Sequence, residues 1–342
     1  MRDHCRMVLK LDSRFPLVWR SPSDMQFGVD PPQLILRDVS PAQEMMISAL
    51  VPGISRSGLS MVATSSGAAQ ADITTLLQLL RPVLVPDQNS GAGFLPPHPT
   101  GSSGSSGTSG SSGTSGSSGT GPAGIAIVGC GATVERIARV LSQSGRAIVV
   151  ARAATASPGV SSADGDVRAG GDTIALGIAV GHYVLDPDVH GYWLRRDIPH
   201  LPVIFGDSSV TIGPLIEPGA GPCLYCLERH RSDADPVWPT LATQLWGRRS
   251  GAETPLLSRE VAARVARMVT NRLDDARPGP AISVRLDADR GTATYREEQP
   301  HPDCGCRGLV SAARPGIDLP AAPDLGVLPR RTRIARVSGG RG

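Results

Sequence analysis

The stretch Gly124–Ala132, "GIAIVGCGA", decides the fold of the larger part of this chain. It is an apolar run of strand length that ends in a glycine turn. The segment "TVERIARVLSQSG" (133–145) follows with apolar residues at helical spacing, and "RAIVVARA" (146–153) gives a second strand. A strand, a glycine turn, a helix and a strand form a β-α-β unit, so we predict a Rossmann-like, doubly wound α/β sheet.

Further apolar strands and a long helix continue this pattern. The strand-like runs are "TIALGIAVG" (173–181), "LPVIFGD" (201–207) and "VTIGPLIEPG" (210–219). We expect a helix over 258–275 with Ser258 as its N-cap. A hairpin turned at residues 289–291 then closes the sheet.

The first 90 residues show a different pattern, in which short strands precede helices. The strand-like runs are "FPLVWR" (15–20), "MQFGVD" (25–30) and "QLILRD" (33–38). Ser40 and Pro41 mark a helix start, a weaker helix covers 57–65, and a third begins near Asp72. A three-stranded ribbon with three helices is a winged-helix pattern, so we predict a small winged-helix α+β domain before the larger sheet.

The boundary between the two patterns is the polar run "GSSGSSGTSGSSGTSGSSGTG" (101–121). It has no apolar residue to bury, and we interpret it as a flexible linker, either natural or engineered. The chain then divides into a winged-helix domain (10–90), a Gly/Ser/Thr linker (91–123), a Rossmann-like domain (124–308) and a Pro/Gly/Arg-rich tail (309–342).

Composition and charge narrow the classes of function. The 342 residues carry a net charge of +3 without a dense basic run, so nucleic-acid binding is not favoured. Lys10 is the only lysine, which leaves almost no candidate for Schiff-base chemistry or a lysine phosphate clamp. No stretch is long enough for a membrane helix, and the N-terminus lacks a signal-peptide pattern. We therefore expect a cytoplasmic protein without a membrane partner.

Four of the six cysteines form two close pairs, Cys223 with Cys226 and Cys304 with Cys306. In the cytosol, paired cysteines hold metal more often than they form disulfides. Four thiolates can surround one zinc ion at about 2.3 Å each, and a site with four protein ligands has no open position for water. We therefore predict a structural zinc site with these four cysteines as its ligands.

Other interpretations of the same residues stay open at this stage. His301 could replace one sulfur, and His230 is a weaker substitute. Cys223 and Cys226 in "CLYC" could also be a redox pair, although the second pair would then be unexplained.

Gly129 and Gly131 occupy the first two glycine positions of a nucleotide-binding turn. Val134 stands at the third position, and Ala151 and Arg152 stand where a ribose-binding Asp or Glu would be. We therefore expect the glycines to make a tight turn without binding ATP or NAD(P). Because Arg152 could receive a ribose phosphate, a phosphorylated dinucleotide is the alternative.

Several ordered motifs of the larger domain resemble the ThiF/MoeB superfamily, whose fold is that of ubiquitin-activating enzymes. They are "IAIVGCGA" (125–132), "IPHLPVIFGDSSVTIGPLIEPGAGPCLYCLERHR" (198–231) and the cysteine pair after a hairpin. The segments "RSDADPVWP" (231–239) and "HPDCGC" (301–306) are similar to members that accompany thiazole/oxazole-modified peptide (bacteriocin) biosynthesis. The winged-helix pattern resembles the leader-peptide recognition element that is usually fused to such members.

The resemblance implies adenylation chemistry, but this sequence departs from the active pattern. Active members carry an Asn-x-x-Arg-Gln segment and a lysine after the second strand. Residues 151–175 contain no such segment, and the domain contains no lysine. We therefore expect the fold without the chemistry and favour a protein that is not an enzyme. A diverged adenylating or NAD(P)-binding enzyme is the alternative.

The resemblance further implies a partner protein in azoline biosynthesis. Its winged-helix domain would bind the leader of a precursor peptide as an added strand beside "QLILRD" (33–38). A YcaO-type cyclodehydratase would dock on the zinc-braced domain, and a homodimer is compatible with the fold. We expect peptide contacts from Leu34, Leu36, Ile73, Leu76, Leu77 and Leu80. A DNA-binding winged helix is the alternative, although "ADITTLLQLL" (71–80) lacks the basic side chains of a recognition helix.

Overall fold

The computed structural model describes residues 8–85, 124–151, 174–275, 277–307 and 333–336. The predicted linker, and most of the predicted tail, lie outside these residues. The described part contains a four-stranded sheet and a seven-stranded sheet, each packed against helices, and a small two-stranded sheet.

The N-terminal module is a short antiparallel meander covered by three helices. In chain order its elements are β1 (Val8–Leu9), β2 (Leu17–Trp19), β3 (Met25–Phe27), β4 (Leu34–Arg37), α1 (Pro41–Leu50), β5 (Ile54–Ser55), α2 (Arg56–Ser65) and α3 (Gln70–Leu80). Strand β3 pairs with β2 and β4, and β1 pairs with β5. Ser40 caps α1 as expected, because its side chain accepts a hydrogen bond from the Gln43 N–H. The predicted strands and helices are confirmed, while the winged-helix assignment stays a prediction.

The C-terminal module is built on the seven-stranded sheet. In chain order its elements are β6 (Gly124–Val128), α4 (Ala132–Ser142), β7 (Ile148–Ala151), β8 (Ile174–His182), α5 (Pro187–Leu194), β9 (His200–Phe205), β10 (Ser209–Ile212), α6 (Leu224–Ala234), α7 (Trp238–Leu245), α8 (Pro255–Asp274), β11 (Ile282–Asp287) and β12 (Ala293–Glu297). The strand order is β12-β11-β10-β9-β8-β6-β7. Strands β7, β6, β8 and β9 are parallel, whereas β10, β11 and β12 continue the sheet antiparallel. The predicted α/β sheet is therefore a mixed one.

The sheet buries side chains on both faces, which explains the nearly continuous apolar run of β6. Ile125 and Ile127 belong to the core cluster that also contains α4 and α8 residues. Ala126 and Val128 point to the opposite face and pack with Trp193 of α5. Successive residues of a strand alternate between faces, so a strand covered on both sides has no polar position.

The long helix α8 begins earlier than the sequence predicts. Thr254 is its N-cap and Pro255 its first residue, whereas Ser258 lies inside the helix. The buried Ser258 hydroxyl contacts the Thr133 hydroxyl at 2.9 Å and accepts a hydrogen bond from Arg136 at 2.9 Å. Ser258 therefore ties α8 to α4, and its predicted role as N-cap is wrong.

A fourth strand completes the N-terminal sheet, and it comes from the end of the chain. Strand β13 (Arg333–Arg336) pairs in parallel with β4, and the sheet order is β13-β4-β3-β2. The sequence predicts only a Pro/Gly/Arg-rich tail over 309–342, so the pairing of this segment is a finding of the structure.

The two modules contact each other through polar groups and through an apolar cluster in which Val18 packs with Leu241 and Leu245. Arg20 makes a two-point ion pair with Asp235, with N···O distances of 2.6 and 2.7 Å. Asp207, in the turn between β9 and β10, is fully buried and accepts hydrogen bonds from the Val29 and Asp30 backbone N–H groups. Burial, followed by the nearby Asp30 charge, raises the pKa of Asp207 to about 7. The module contact therefore contains one titratable group near neutral pH.

We expect an Asp207→Asn variant to remove part of the pH dependence of stability. The unfolded chain releases this proton near pH 3.8, but the folded chain keeps it until about pH 7, so stability falls as pH rises between these values. At pH 8 the variant should gain on the order of 4 kcal/mol in free energy of unfolding, because each unit of pKa difference is about 1.4 kcal/mol, and at pH 4 almost nothing. Urea unfolding at both values tests this, with the exposed Asp289→Asn as control. An equal difference at pH 4 and pH 8 would contradict the assignment.

Candidate functional site

The structure brings the two predicted cysteine pairs together. Cys223 is the N-cap of α6, and Cys226 lies in the first turn of that helix. Cys304 immediately precedes a 3-10 turn, Gly305–Arg307, which contains Cys306. Helix α8 and the β11–β12 hairpin lie between the pairs, so the fold returns the end of the module to the start of α6.

The four sulfurs are spaced as ligands of one tetrahedral ion. The Sγ atom of Cys223 lies 3.8 Å from that of Cys226 and 3.7 Å from that of Cys304, and the Cys226 and Cys306 sulfurs are 3.4 Å apart. All four sulfurs lie within 4.8 Å of one another. Four bonds of about 2.3 Å to zinc require sulfurs about 3.8 Å apart, whereas a disulfide requires about 2.05 Å. The spacing therefore fits an ion and not a covalent bond.

The surroundings of Cys223 and Cys306 disfavour their thiolates in the absence of a cation. Burial raises the pKa of Cys223 well above its usual range and that of Cys306 to about 11. At Cys226, hydrogen bonds outweigh the effect of burial, beginning with the one from the His301 backbone N–H, and the pKa is lowered. Binding of a metal must therefore displace the protons of Cys223 and Cys306, and the affinity for zinc should rise with pH.

The two histidines considered as substitute ligands are engaged elsewhere. His301 is buried; its Nδ1 accepts a hydrogen bond from the Asp303 N–H at 3.1 Å, and its Nε2 lies 2.9 Å from an Asp233 carboxylate oxygen. His230 donates from Nε2 to the Gln299 carbonyl at 3.0 Å. The His301 carbonyl accepts from the Cys304 N–H at 3.1 Å. These histidines therefore position the loop that carries the second cysteine pair.

Cys223 lies at the N-terminus of α6, a helix that was not predicted from the sequence. Redox pairs also occur at helix N-termini. The position of the second pair separates the two interpretations. A redox pair exchanges electrons between two sulfurs, but here Cys304 and Cys306 each approach a sulfur of the first pair. Four protein ligands leave no open coordination position, so the arrangement suits a structural ion better than a catalytic one.

Side chains of the loop before α8 fill the space beside the glycine turn after β6 and bind the polar groups there. Gly131 has a φ of +105°, and a Cβ added there would lie 2.7 Å from an Arg249 nitrogen. At the N-terminus of α4, the Glu253 carboxylate accepts hydrogen bonds from the Thr133 N–H at 3.1 Å and the Thr133 hydroxyl at 2.8 Å. Arg249 donates to the same carboxylate at 3.1 Å. A nucleotide phosphate would use this helix N-terminus, which already holds a carboxylate.

The carboxylate of Glu253 is stable as an anion at this position. Burial alone would raise its pKa, but the hydrogen bonds from Thr133 outweigh burial, and the pKa is lowered. His182 lies 3.6 Å away, and burial lowers the pKa of that imidazole. Glu253 was not among the predicted site residues, because no local pattern connects it with a turn 120 positions earlier.

A cavity of about 400 Å³ opens beside this turn, at the carboxyl ends of β6 and β8. Its walls include Cys130, Trp193 and two buried histidines, His190 and His200, whose rings are joined by a 2.7 Å hydrogen bond. Burial lowers the pKa of His190 to about 3 and that of His200 to about 4, so both are neutral near pH 7. These histidines therefore add no charge to a mostly apolar wall, which also includes Asp186, Arg248 and Arg249.

The structure places most of the predicted peptide-binding side chains in the core of the N-terminal module. Five of the six are at most 1% exposed: Leu34, Leu36, Ile73, Leu76 and Leu80. They pack against one another and against the other helices of the core, and their contact with a peptide stays a prediction. Leu77 is half-buried and stays a candidate.

The backbone at the two edges of the N-terminal sheet has different partners. At the β2 edge, Gln244 of α7 accepts from the Trp19 N–H at 2.8 Å and donates to the Trp19 carbonyl at 2.7 Å. Arg248 donates to the Leu17 carbonyl at 3.0 Å. The opposite edge, along β4, takes β13. Side chains thus cap one edge, and the other edge accepts an added strand.

No protein-family model and no curated protein matches this sequence. Among solved structures, the chain is similar to the E. coli microcin synthetase McbBCD complex, at 12% identity, with 87% of this chain and 99% of that chain covered and a TM-score of 0.39. E. coli MccB is 12% identical, with 91% and 100% covered and a TM-score of 0.39. The heterocyclase TruD is 15% identical, with 87% of this chain covered and a TM-score of 0.37; the chain spans only 42% of TruD.

Across the part of the chain that the structure describes, no helix combines the length and the apolar composition that crossing a membrane requires.

Proposed function

We propose that this chain is a non-catalytic partner protein that binds an extended leader peptide and docks a separate cyclodehydratase in azoline-peptide biosynthesis. The N-terminal module takes the peptide as a strand. The C-terminal module, braced by zinc, presents the docking surface to an enzyme of the YcaO type, as the motifs at 198–231 and 301–306 suggest. The zinc ion holds the fold and takes no part in a reaction.

The β4 edge is the observation that carries the peptide-binding half of the proposal. Its main chain already pairs with an extended segment, Arg333–Arg336, over four residues in register. Strand addition draws affinity from main-chain hydrogen bonds, which any extended peptide can make, and selectivity from nearby side chains. The buried leucines of β4 therefore support the strand from behind, and the backbone makes the contact.

Two features of the C-terminal module support a role without catalysis. The Glu253 carboxylate stands at the helix N-terminus where a nucleotide phosphate would bind, with Thr133 as its donor. The four-thiol site has no open position for a substrate or water. The enzyme alternative would require Glu253 to leave the helix N-terminus, whereas a structural ion is compatible with either role. The DNA-binding alternative is weaker, because α3 has no basic residue over Gln70–Leu80.

A charge at Leu77 tests the peptide-binding role. Fifteen-residue peptides are selected from a phage library on the immobilised full chain, and the affinity of the best one is measured by fluorescence anisotropy. Leu77→Glu should weaken that affinity at least about tenfold, because it places a charge on the half-buried face of α3. The zinc content should stay at one ion per chain.

Gln78→Glu is the matched control, since it adds the same charge at an exposed position of the same helix. It should leave the affinity within about twofold, because an exposed charge costs little. If both variants bind as the unsubstituted chain does, the peptide does not bind beside α3.

A further inference from the structure

The last described segment of the chain occupies the edge to which the proposed function assigns a peptide. Strand β13 runs parallel to β4, with Arg333 opposite Leu34 and Arg336 opposite Arg37. The opposite edge of the sheet is capped by Gln244 and is closed to a strand. One edge of a strand pairs with one neighbour at a time, so β13 and an incoming peptide exclude each other.

The length and sequence of the tail permit this pairing within one chain. Residues 308–332 separate the last residue of the 3-10 turn from β13, and 25 residues can span up to about 80 Å. Prolines occur at 315, 320, 323 and 329, but residues 330–342 contain none. Proline cannot donate to a strand ladder, so the pairing falls in the part of the tail that is free of it.

We propose that Arg333–Arg336 is an internal strand that closes the β4 edge until an incoming peptide displaces it. This inference rests on the proposed function and adds a competitor to it. The tail is tethered, so its effective concentration at the edge is on the order of 1 mM. If the tail by itself binds with a Kd of about 0.1 mM, it weakens the apparent affinity of a competing peptide about tenfold.

Two adjacent prolines remove the internal strand and leave the rest of the full-length chain unchanged. Successive N–H groups of a strand point to opposite sides, so one of residues 334 and 335 donates toward β4, whichever orientation the strand has. The variant Ile334→Pro/Ala335→Pro therefore deletes that donor and disfavours the extended pairing. Val327→Pro/Leu328→Pro, upstream of β13, carries the same number of new prolines and is the control.

The probe is a fluorescein-labelled synthetic peptide with the sequence of residues 330–342, "RRTRIARVSGGRG", measured by anisotropy. The Ile334→Pro/Ala335→Pro chain should bind it about tenfold more tightly than the unsubstituted and control chains. Hydrogen exchange of residues 33–38 should be faster in that variant, and the added peptide should slow it again. Equal affinity in the three chains, with unchanged exchange at 33–38, would overturn the inference.

The phage-selected peptide separates the two proposals. If it binds the unsubstituted chain as tightly as the Ile334→Pro/Ala335→Pro chain, the tail is no competitor, and the proposed function stands alone. If no selected peptide binds either chain, the proposed function falls, although faster exchange at 33–38 in the variant would still show that the tail covers β4. A dimer that only the variant loses in sedimentation would assign the strand to a second copy and overturn the intramolecular form.

Discussion

Substitution of Cys226 by serine is expected to abolish stoichiometric zinc binding and to destabilise the C-terminal module. A serine oxygen is a poor zinc ligand, and the three remaining sulfurs cannot close the tetrahedron. An ion that binds only the folded chain contributes about 4 kcal/mol to the free energy of unfolding when free zinc exceeds the Kd a thousandfold. Elemental analysis should give about one zinc per unsubstituted chain and close to none for the variant, and urea unfolding should show the lost stability.

Cys130→Ser is the matched control for this experiment. Its thiol lies at the glycine turn, 3.6 Å from an Arg249 nitrogen, and not in the four-thiol cluster. The control should keep its metal and change stability by less than about 1 kcal/mol. Lowering the pH should release zinc from the unsubstituted chain, because protons compete for thiols such as Cys306, whose pKa is raised to about 11. An unsubstituted chain that holds no zinc at pH 8 would contradict the assignment.

Replacement of Glu253 by alanine is the second substitution from which we expect a large effect. The Thr133 N–H and hydroxyl would lose their acceptor at a fully buried position, which costs about 1–3 kcal/mol. The vacated helix N-terminus would then be free for an anion. We expect the unsubstituted chain to bind neither ATP nor NADPH, and the variant to gain weak, millimolar binding of inorganic phosphate. Isothermal titration calorimetry measures all three ligands.

The control for Glu253 is Glu260→Ala, on the same helix. Glu260 is one-third exposed and pairs with Arg264, so its loss should cost less than about 1 kcal/mol and create no anion site. Micromolar binding of ATP by the unsubstituted chain, lost on Gly131→Val, would favour the enzyme alternative over the proposed function. Stability equal to that of the unsubstituted chain in Glu253→Ala would show that the carboxylate does not support the turn.

The features that were predicted correctly from the sequence are those with a local signal. The continuous apolar run of β6 and the glycine turn defined the β-α-β unit, and Ser40 with Pro41 marked the start of α1. The spacing of the cysteines predicted which four sulfurs would meet, because few other arrangements explain two close pairs in a chain with little cysteine.

The features that were missed depend on contacts between distant residues. A helical stripe such as Ile73, Leu76 and Leu80 has the same sequence pattern whether it faces a core or a ligand. In the structure these three side chains lie in the core. Thr254 before Pro255 could have marked the start of α8, but Ser258 offered a competing cap. Gln244 gives no hint that it pairs with the Trp19 backbone 225 positions away. Likewise, four residues near the C-terminus are too short to predict as a strand without their partner.

The 3-10 turn at Gly305–Arg307 also determines where the final segment of the chain originates. Cys306 lies within that turn, so a bound ion would attach the start of the last 35 residues to helix α6. A fixed attachment point limits the volume that β13 can reach, and this favours its re-pairing with β4. Loss of the ion would release that attachment point and lengthen the tether, so metal occupancy would affect the fraction of time for which the β4 edge is unpaired.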